Sequence, residues 1–163
     1  MLGKTEVLRE KAKLISWLDC QLRSVEEHIW HEPLKIGKWS IAAVVAHFIA
    51  WDEFVIKKRL PYLLSGEAFP YDVVDIEVKN REAAMLAASG IHKDALLDEC
   101  KKKRNDLLFL LERLPAERFE SAIQIGDSVL SMQDYWSGLI DHDRHHINEI
   151  NRFLLTKGAK IQE

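Results

Sequence analysis

The sequence is poor in residues that interrupt helices and in residues that form cross-links. Of its 163 residues, only seven are glycine, four are proline and two are cysteine. The glycines and prolines gather at a few breaks, unlike the regularly spaced turns of a β-sandwich or barrel. Cys20 and Cys100 are far apart and neither has a C-x-x-C partner, so a zinc ribbon and a dithiol redox motif are excluded. This scarcity predicts long helices.

The sequence also lacks a dominant charge sign and a long apolar run. Lys plus Arg number 23 and Asp plus Glu number 26, which gives a net charge of −3. This balance supplies no general attraction to nucleic acid or to an anionic membrane, so we expect neither as a partner. No stretch approaches the roughly 20 apolar residues of a membrane span, and the first segment is too charged for a signal peptide. We therefore expect a cytoplasmic protein, with residues 1–163 forming a single helical domain.

Apolar residues recur every three or four positions in several stretches, as on the buried face of an α-helix. The pattern predicts helices over residues 4–29, 41–60, 76–114 and 132–155, the third with a break near Ser89 and Gly90. Ser40 and Ser131 stand at expected N-cap positions, and Gly158 marks the last stop. Residues 63–75 and 115–126 are predicted as connections without a strand. The predicted fold is an all-α four-helix bundle with a long crossover connection.

The second predicted helix carries a histidine on its apolar face. The inward stripe is predicted to contain Val44, His47, Phe48, Trp51 and Phe54 or Val55, and the outward face Asp52, Glu53, Lys57 and Lys58. A neutral imidazole in such a stripe needs a hydrogen-bond partner or a metal ion, because burying it unpaired costs roughly 1–3 kcal/mol. The five tryptophans are interpreted as core and loop anchors, with pocket lining as the alternative for Trp51, which follows His47 by one turn. His47 is therefore a candidate ligand.

Three of the seven histidines lie within five positions of the last predicted helix. Each residue advances a helix by about 100°, so residues three, four and seven apart share a face. His142 and His146 share a stripe with apolar residues and point to the core, whereas His145 falls on a polar face. An inward i, i+4 pair of histidines can hold one metal ion. The sequence thus predicts a metal site formed by His47, His142 and His146.

Two other interpretations of these histidines stay open. One is a competing helix register in which His145 pairs with Glu149, also four residues away, although this register fits the amphipathic pattern less well. The other is a buried polar cluster that holds no metal, for which purified protein would contain no ion. The two interpretations predict different metal contents.

The remaining candidates point to no other site. Asp143 is placed either to orient a metal-bound imidazole or to be solvated, and we expect solvation. The basic run Lys101–Arg104 is interpreted as a solvated helix face rather than a nucleic-acid patch, because acidic residues surround it. His28, His31 and His92 fall at helix ends or in loops and are expected to be exposed. The sequence has no G-x-S-x-G, Walker, G-x-G-x-x-G or His-Glu-x-x-His motif, which argues against common nucleophile, nucleotide and zincin sites.

Two stretches of the sequence, with the connection between them, resemble the DinB superfamily. This is a group of metal-binding four-helix bundles that includes the YfiT-like proteins. The stretches are KWSIAAVVAHFIAWDEF, with a Trp-Ser helix start and a histidine deep in the helix, and DHDRHHINEINRFL near the end. In this resemblance the ligand of the second helix falls on His47, and the H-x-x-x-H pair falls on His142 and His146. Many members have Gly-Gln shortly after the last histidine, whereas this chain has Asn148 and Glu149 there.

The resemblance implies a divalent metal ion, zinc or nickel or a related ion such as iron, at an open three-histidine site, and a homodimer packed through helices. It also implies a small-molecule substrate, in some relatives a low-molecular-weight thiol. Three neutral ligands leave positions for water or substrate, and a metal there lowers the pKa of a bound thiol or water. The leading hypothesis is therefore a metal-dependent enzyme of the thiol S-transferase or hydrolase type. The alternative is a non-catalytic bundle that binds metal for stability or sensing, or a dimeric interaction or stress-response module.

Overall fold

The computed structural model describes residues 2–70 and 74–162, and this part of the chain is mostly helical. In chain order its helices are α1 (Lys4–Trp17), α2 (Glu27–Trp30), α3 (Ile41–Lys58), α4 (Leu60–Ser65), α5 (Ile76–Ala87), α6 (Lys93–Glu112) and α7 (Met132–Thr156). A π-helical turn, Leu18–Leu22, extends α1, and a 3-10 helix, Ala116–Glu120, follows α6. The long helices α1, α3, α6 and α7 make the four-helix bundle, which confirms the predicted fold. Within the described residues, no helix is long and apolar enough to cross a membrane.

The predicted starts of the second and fourth helices are confirmed by N-cap hydrogen bonds. Ser40 Oγ accepts a bond from the Ala43 N–H at 3.2 Å, and Ser131 Oγ accepts one from the Asp134 N–H at 3.0 Å. Each bond satisfies a first-turn donor that has no partner within its helix. Gly158, at φ 81°, follows α7 in the left-handed region that favours glycine.

The first and second predicted helices end earlier than their patterns indicate. The helical run that begins at α1 stops at Leu22 rather than Ile29, and α2 is a separate short helix beyond it. The second helix ends at Lys58. Pro61 lies in the first turn of α4, where a backbone N–H would have no acceptor within the helix, so that its absence costs no hydrogen bond. The third region is divided as predicted, into α5 and α6. Residues 71–73 of the predicted connection 63–75 lie outside the described residues.

The prediction that no strand is present is wrong. Strands β1 (Ala122–Ile125) and β2 (Ser128–Ser131) form an antiparallel hairpin between α6 and α7. Ile123 pairs with Leu130, and Ile125 pairs with Ser128 across the two-residue loop that begins with Gly126 at φ 59°. Two-residue hairpin loops require such a positive φ, which glycine adopts without steric cost. The Gly-Asp pair between short apolar stretches was the signal for this hairpin.

Helix α3 lies at the centre of the bundle. Its buried residues include Val44, His47, Phe48 and Phe54, as the inward stripe predicts, and Trp51 is partly buried. Asp52 was expected to face solvent, but only 3% of its surface is exposed. The expectation for Asp52 was wrong because Arg104 of α6 packs against this part of α3. Lys57 and Lys58 of the same predicted face are exposed, as expected.

Asp52 belongs to a buried network of two acids and two bases, one from each long helix. Arg104 of α6 is fully buried and donates from Nε and Nη2 to Asp52 at 2.6 and 3.0 Å, and from Nη1 and Nη2 to Asp143 of α7 at 2.8 and 3.2 Å. Arg104 Nη1 also donates to the backbone carbonyl of Lys11 at 2.9 Å, so all five guanidinium N–H groups have acceptors. Lys11 Nζ of α1 lies 2.7 Å from Asp143 Oδ2. We call these four residues the buried charge network.

The buried charge network corrects two predictions. Asp143 is 6% exposed rather than solvated, and Arg104 does not lie on a solvated face. The other members of the basic run are at the surface, where Lys101 pairs with Asp19 and Lys102 with Asp106. Burial opposes the charged forms, but the Lys11 ammonium and the Arg104 guanidinium outweigh it and lower the pKa of Asp143. The balanced charges explain how these groups lie inside an otherwise apolar bundle.

Candidate metal centre

The structure brings His47, His142 and His146 together in the bundle, and we call these residues the histidine triad. His47 lies on α3, and His142 and His146 lie one turn apart on α7. The ring centroids are 4.9 Å apart between His47 and His142, 5.0 Å between His47 and His146, and 4.7 Å between His142 and His146. One ring nitrogen from each residue lies within 4.8 Å of the other two. The rings thus surround a point from nearly equal distances.

The hydrogen bonds of the triad fix the tautomer of His47 and leave one nitrogen of His146 without a partner among the described residues. His47 Nδ1 lies 3.1 Å from Asn80 Oδ1, which only accepts hydrogen bonds, so Nδ1 carries the proton and Nε2 carries a lone pair. That Nε2 lies 2.9 Å from His142 Nε2. His146 Nδ1 is buried and has no hydrogen-bond partner among the described residues. A set of clustered neutral imidazole nitrogens fits the ligand chemistry of a divalent metal ion.

All three imidazoles are held in the neutral form that metal binding requires. Burial and the neighbouring histidines lower the pKa of His47 to about 3. Burial and the same kind of neighbours lower the pKa of His146 to about 4. The pKa of His142 is lowered mainly by burial. At neutral pH no proton therefore competes for the lone pairs of these rings.

Aromatic side chains form the walls around the triad. The Trp39 ring, from the loop before α3, lies 4.9 Å from the His47 ring and 6.3 Å from the His146 ring. The Trp51 ring lies 6.0 Å from the rings of both His47 and His142. The Phe48 ring meets His146 edge-on at 5.7 Å. These rings restrict water around the triad on several sides.

The competing pair, His145 and Glu149, lies on the outer side of His146. His145 is exposed, as its polar face predicts, and its ring is 5.2 Å from that of His146. Glu149 Oε2 lies 3.8 Å from His146 Nδ1, beyond hydrogen-bond distance. His145, His146 and Glu149 also form a group with ligand atoms within 4.8 Å of one another. The competing set shares His146 with the triad but is more exposed to solvent.

The remaining three histidines are at the surface. The side chains of His28, His31 and His92 are 71%, 46% and 73% exposed, as expected for helix ends and loops.

Two residues that the sequence did not predict there contact the histidine triad. Asn80 comes from α5, and its sequence neighbourhood gives no sign of its contact with α3. Trp39 directly precedes the Ser40 N-cap, a position from which a side chain can reach the first turns of α3.

Solved structures of several proteins share this fold. YfiT from Bacillus subtilis, described as a probable metal-dependent hydrolase with an unusual four-helix bundle topology, matches with a TM-score of 0.76 and 17% identity, over 96% of this chain and 89% of YfiT. The mycothiol-dependent maleylpyruvate isomerase matches with a TM-score of 0.69 and 18% identity, over 91% of this chain but only 60% of the isomerase. At such identities the likeness establishes the fold.

A third structure overturns one expectation about partners. The colibactin self-resistance protein ClbS, solved in complex with double-stranded DNA, matches with a TM-score of 0.70 and 17% identity, over 99% of each chain. The expectation that excluded nucleic acid as a partner was therefore wrong, because ClbS has this fold and was solved bound to DNA. Net charge describes the average surface and carries no information about a local binding face.

The family follows from the sequence comparison. A search of curated proteins finds no significant match. The model of the DinB superfamily, however, matches residues 16–150, which include the whole histidine triad and most of the bundle. The same fold is seen in YfiT, a DinB-like protein. The chain therefore belongs to the DinB superfamily.

Proposed function

We propose that His47, His142 and His146 bind one divalent metal ion, zinc or nickel, and that the chain is a metal-dependent enzyme of the thiol S-transferase or hydrolase type. The observation that carries the proposal is the convergence of three neutral imidazoles, each with a ring nitrogen within 4.8 Å of one from each of the other two. The metal-dependent and thiol-dependent descriptions of the fold neighbours favour the same chemistry.

The residues around the triad have defined parts in this proposal. A bound divalent ion with three imidazole ligands would supply an open Lewis-acid position that lowers the pKa of a thiol or water. Asn80 holds the His47 proton on Nδ1 and so keeps Nε2 free as a ligand atom. The rings of Trp39, Trp51 and Phe48 limit the water around the triad. A drier site strengthens every electrostatic interaction within it.

Replacing His146 by alanine should abolish stoichiometric metal binding. The variant leaves two imidazoles, which cannot supply the usual three protein ligands of a catalytic site. Metal content after purification, measured by emission spectroscopy, should fall from about one ion per chain to a trace. The matched control is His92→Ala, which removes an exposed imidazole and should keep the metal. Unchanged metal content in His146→Ala would refute the ligand assignment.

Replacing Asn80 by leucine should weaken metal binding by about 10–100-fold without removing it. Leucine has a similar volume but cannot accept the proton of His47 Nδ1, so that the ring is free to turn or to change tautomer. The affinity is measured by competition with a chromogenic chelator. An affinity equal to that of the unmodified protein would show that Asn80 does not orient the ligand.

Chelation separates the enzymatic proposal from a bundle that binds metal only for stability or sensing. An enzyme should lose thiol-conjugating or hydrolytic activity when the metal is removed and regain it when zinc or nickel is restored. A large fall in melting temperature, with no activity toward any pair of thiol and electrophile before chelation, would favour the non-catalytic alternative. Stability and activity are measured on the same preparation.

A further inference from the structure

A cavity of about 410 Å³ lies between the loop before α3 and the outer side of α7. Its lining includes Leu34, Lys38, Trp39, Val44 and Glu149. Trp39 is also a wall of the histidine triad, because its ring packs 4.9 Å from that of His47. The cavity and the triad therefore share a side chain and lie against each other. A molecule in this cavity would be next to the proposed metal centre.

Two opposite charges line the cavity without neutralising each other. Lys38 is exposed and forms no ion pair with any described residue, including Glu149. The nearest basic group to Glu149 is His146 Nδ1 at 3.8 Å, beyond hydrogen-bond distance, and a ring nitrogen of His145, which also lines the cavity, lies within 4.8 Å of the Glu149 carboxylate. Leu34, Trp39 and Val44 supply apolar surface in the same cavity. The lining thus offers a cation, an anion and an apolar wall to one small molecule.

We propose that this cavity binds a small zwitterionic molecule of the amino-acid class, with its carboxylate on Lys38, its ammonium on Glu149 and its side chain along Trp39 toward the histidine triad. Charge-assisted hydrogen bonds to both groups favour a ligand that carries both charges over one that carries a single charge. A ligand with one charge leaves the opposite cavity group without a partner. The pair Lys38 and Glu149 would therefore determine which substrates reach the triad.

The direction of the ligand's side chain toward the histidine triad rests on the proposed function. A set of three thiols tests the recognition of the two charges and the direction of the side chain separately. L-cysteine carries both charges, cysteamine only the ammonium and 3-mercaptopropionate only the carboxylate. Binding is measured by calorimetry on metal-free protein and by the thiolate absorption band of cobalt-loaded protein. We expect cysteine to bind at least about tenfold more tightly than either analogue in both forms, which corresponds to about 1.4 kcal/mol.

Variants assign each charge to its residue. Lys38→Met should lower the affinity for cysteine to that for cysteamine, and Glu149→Gln should lower it to that for 3-mercaptopropionate. Because the three ligands are compared within one variant, a change in metal affinity or folding does not imitate this result. The matched controls are Lys35→Met, in the same loop, and Asp141→Asn, on α7, neither of which lines the cavity. Both controls should keep the preference for cysteine.

The outcomes distinguish failure of the cavity assignment from failure of the metal centre. Equal affinities for the three thiols, or an equal loss for all three in Lys38→Met and in Glu149→Gln, would overturn the cavity assignment. A preserved preference in calorimetry without a cobalt–thiolate band would support recognition of the zwitterion and refute the approach of its side chain to the triad. Protein that binds no cobalt would refute the metal centre, while calorimetry would still decide the cavity.

Discussion

Replacing Arg104 by alanine is expected to lower the free energy of unfolding by about 3–5 kcal/mol, because it removes the centre of the buried charge network. Asp52 would lose the bonds at 2.6 and 3.0 Å, and Asp143 those at 2.8 and 3.2 Å. Lys11 alone would then face two buried carboxylates. A buried charge that has lost its partner is much more costly than the intact network.

The loss is measured by urea denaturation at pH 7 and low salt. Lys102→Ala is the matched control on the same helix, because its side chain is 66% exposed and pairs with Asp106. An exposed pair contributes about 0–1 kcal/mol, so the control should change stability little. Arg104→Lys keeps the charge but not the five donors, and an intermediate loss is expected. A loss in Arg104→Ala no larger than in the control would contradict the structural role of the network.

Acidification of the metal-free protein from pH 7 to pH 5 is expected to lower the free energy of unfolding by about 2–4 kcal/mol. Burial and neighbouring histidines lower the folded-state pKa of His47 to about 3 and that of His146 to about 4, while an unfolded histidine ionises near pH 6.5. The unfolded chain thus takes up protons that the folded chain does not. Stability is full above the unfolded pKa and is lost as the pH falls toward the folded values, by up to about 1.4 kcal/mol per histidine and pH unit.

Urea denaturation at several pH values between 7 and 5 gives the slope of stability against pH. The slope is proportional to the number of protons that the chain takes up on unfolding. His146→Gln should reduce this number by about one, because it removes one histidine with a lowered pKa. His92→Gln, which removes an exposed histidine outside the triad, is the matched control. A flat profile in the unmodified protein would show that the three imidazoles are protonated as readily in the folded state as in the unfolded chain.

The helical pattern was sufficient to predict the bundle and to place three of its histidines on inward faces. Ser40 and Ser131 start their helices as expected, since an N-cap depends on the local sequence alone. The i, i+4 spacing places His142 and His146 on one face and His145 on another, because the helix geometry is fixed. The hairpin between α6 and α7 was missed because two four-residue strands give too short a periodic signal, and only the Gly126 turn marks them.

Amphipathic periodicity predicted the charged residues least well. Asp52, Arg104 and Asp143 are polar, and a single helix can be divided only into apolar and polar faces. Whether a polar face meets water or another helix depends on how many neighbours the helix has. Each of the three charges is stabilised by partners from helices distant in sequence, so no local pattern could reveal that they are buried.

The sequence by itself determined the family, the helices and the placement of three histidines on inward faces, because these follow from residue type and helical phase. Only the tertiary structure decided which groups meet. It places Asn80 of α5 against His47, forms the buried charge network from four helices, and puts Lys38 and Glu149 in one cavity beside Trp39. The physical reason is that these contacts join residues far apart in the chain. Such contacts depend on how the helices pack against one another rather than on the phase of any single helix.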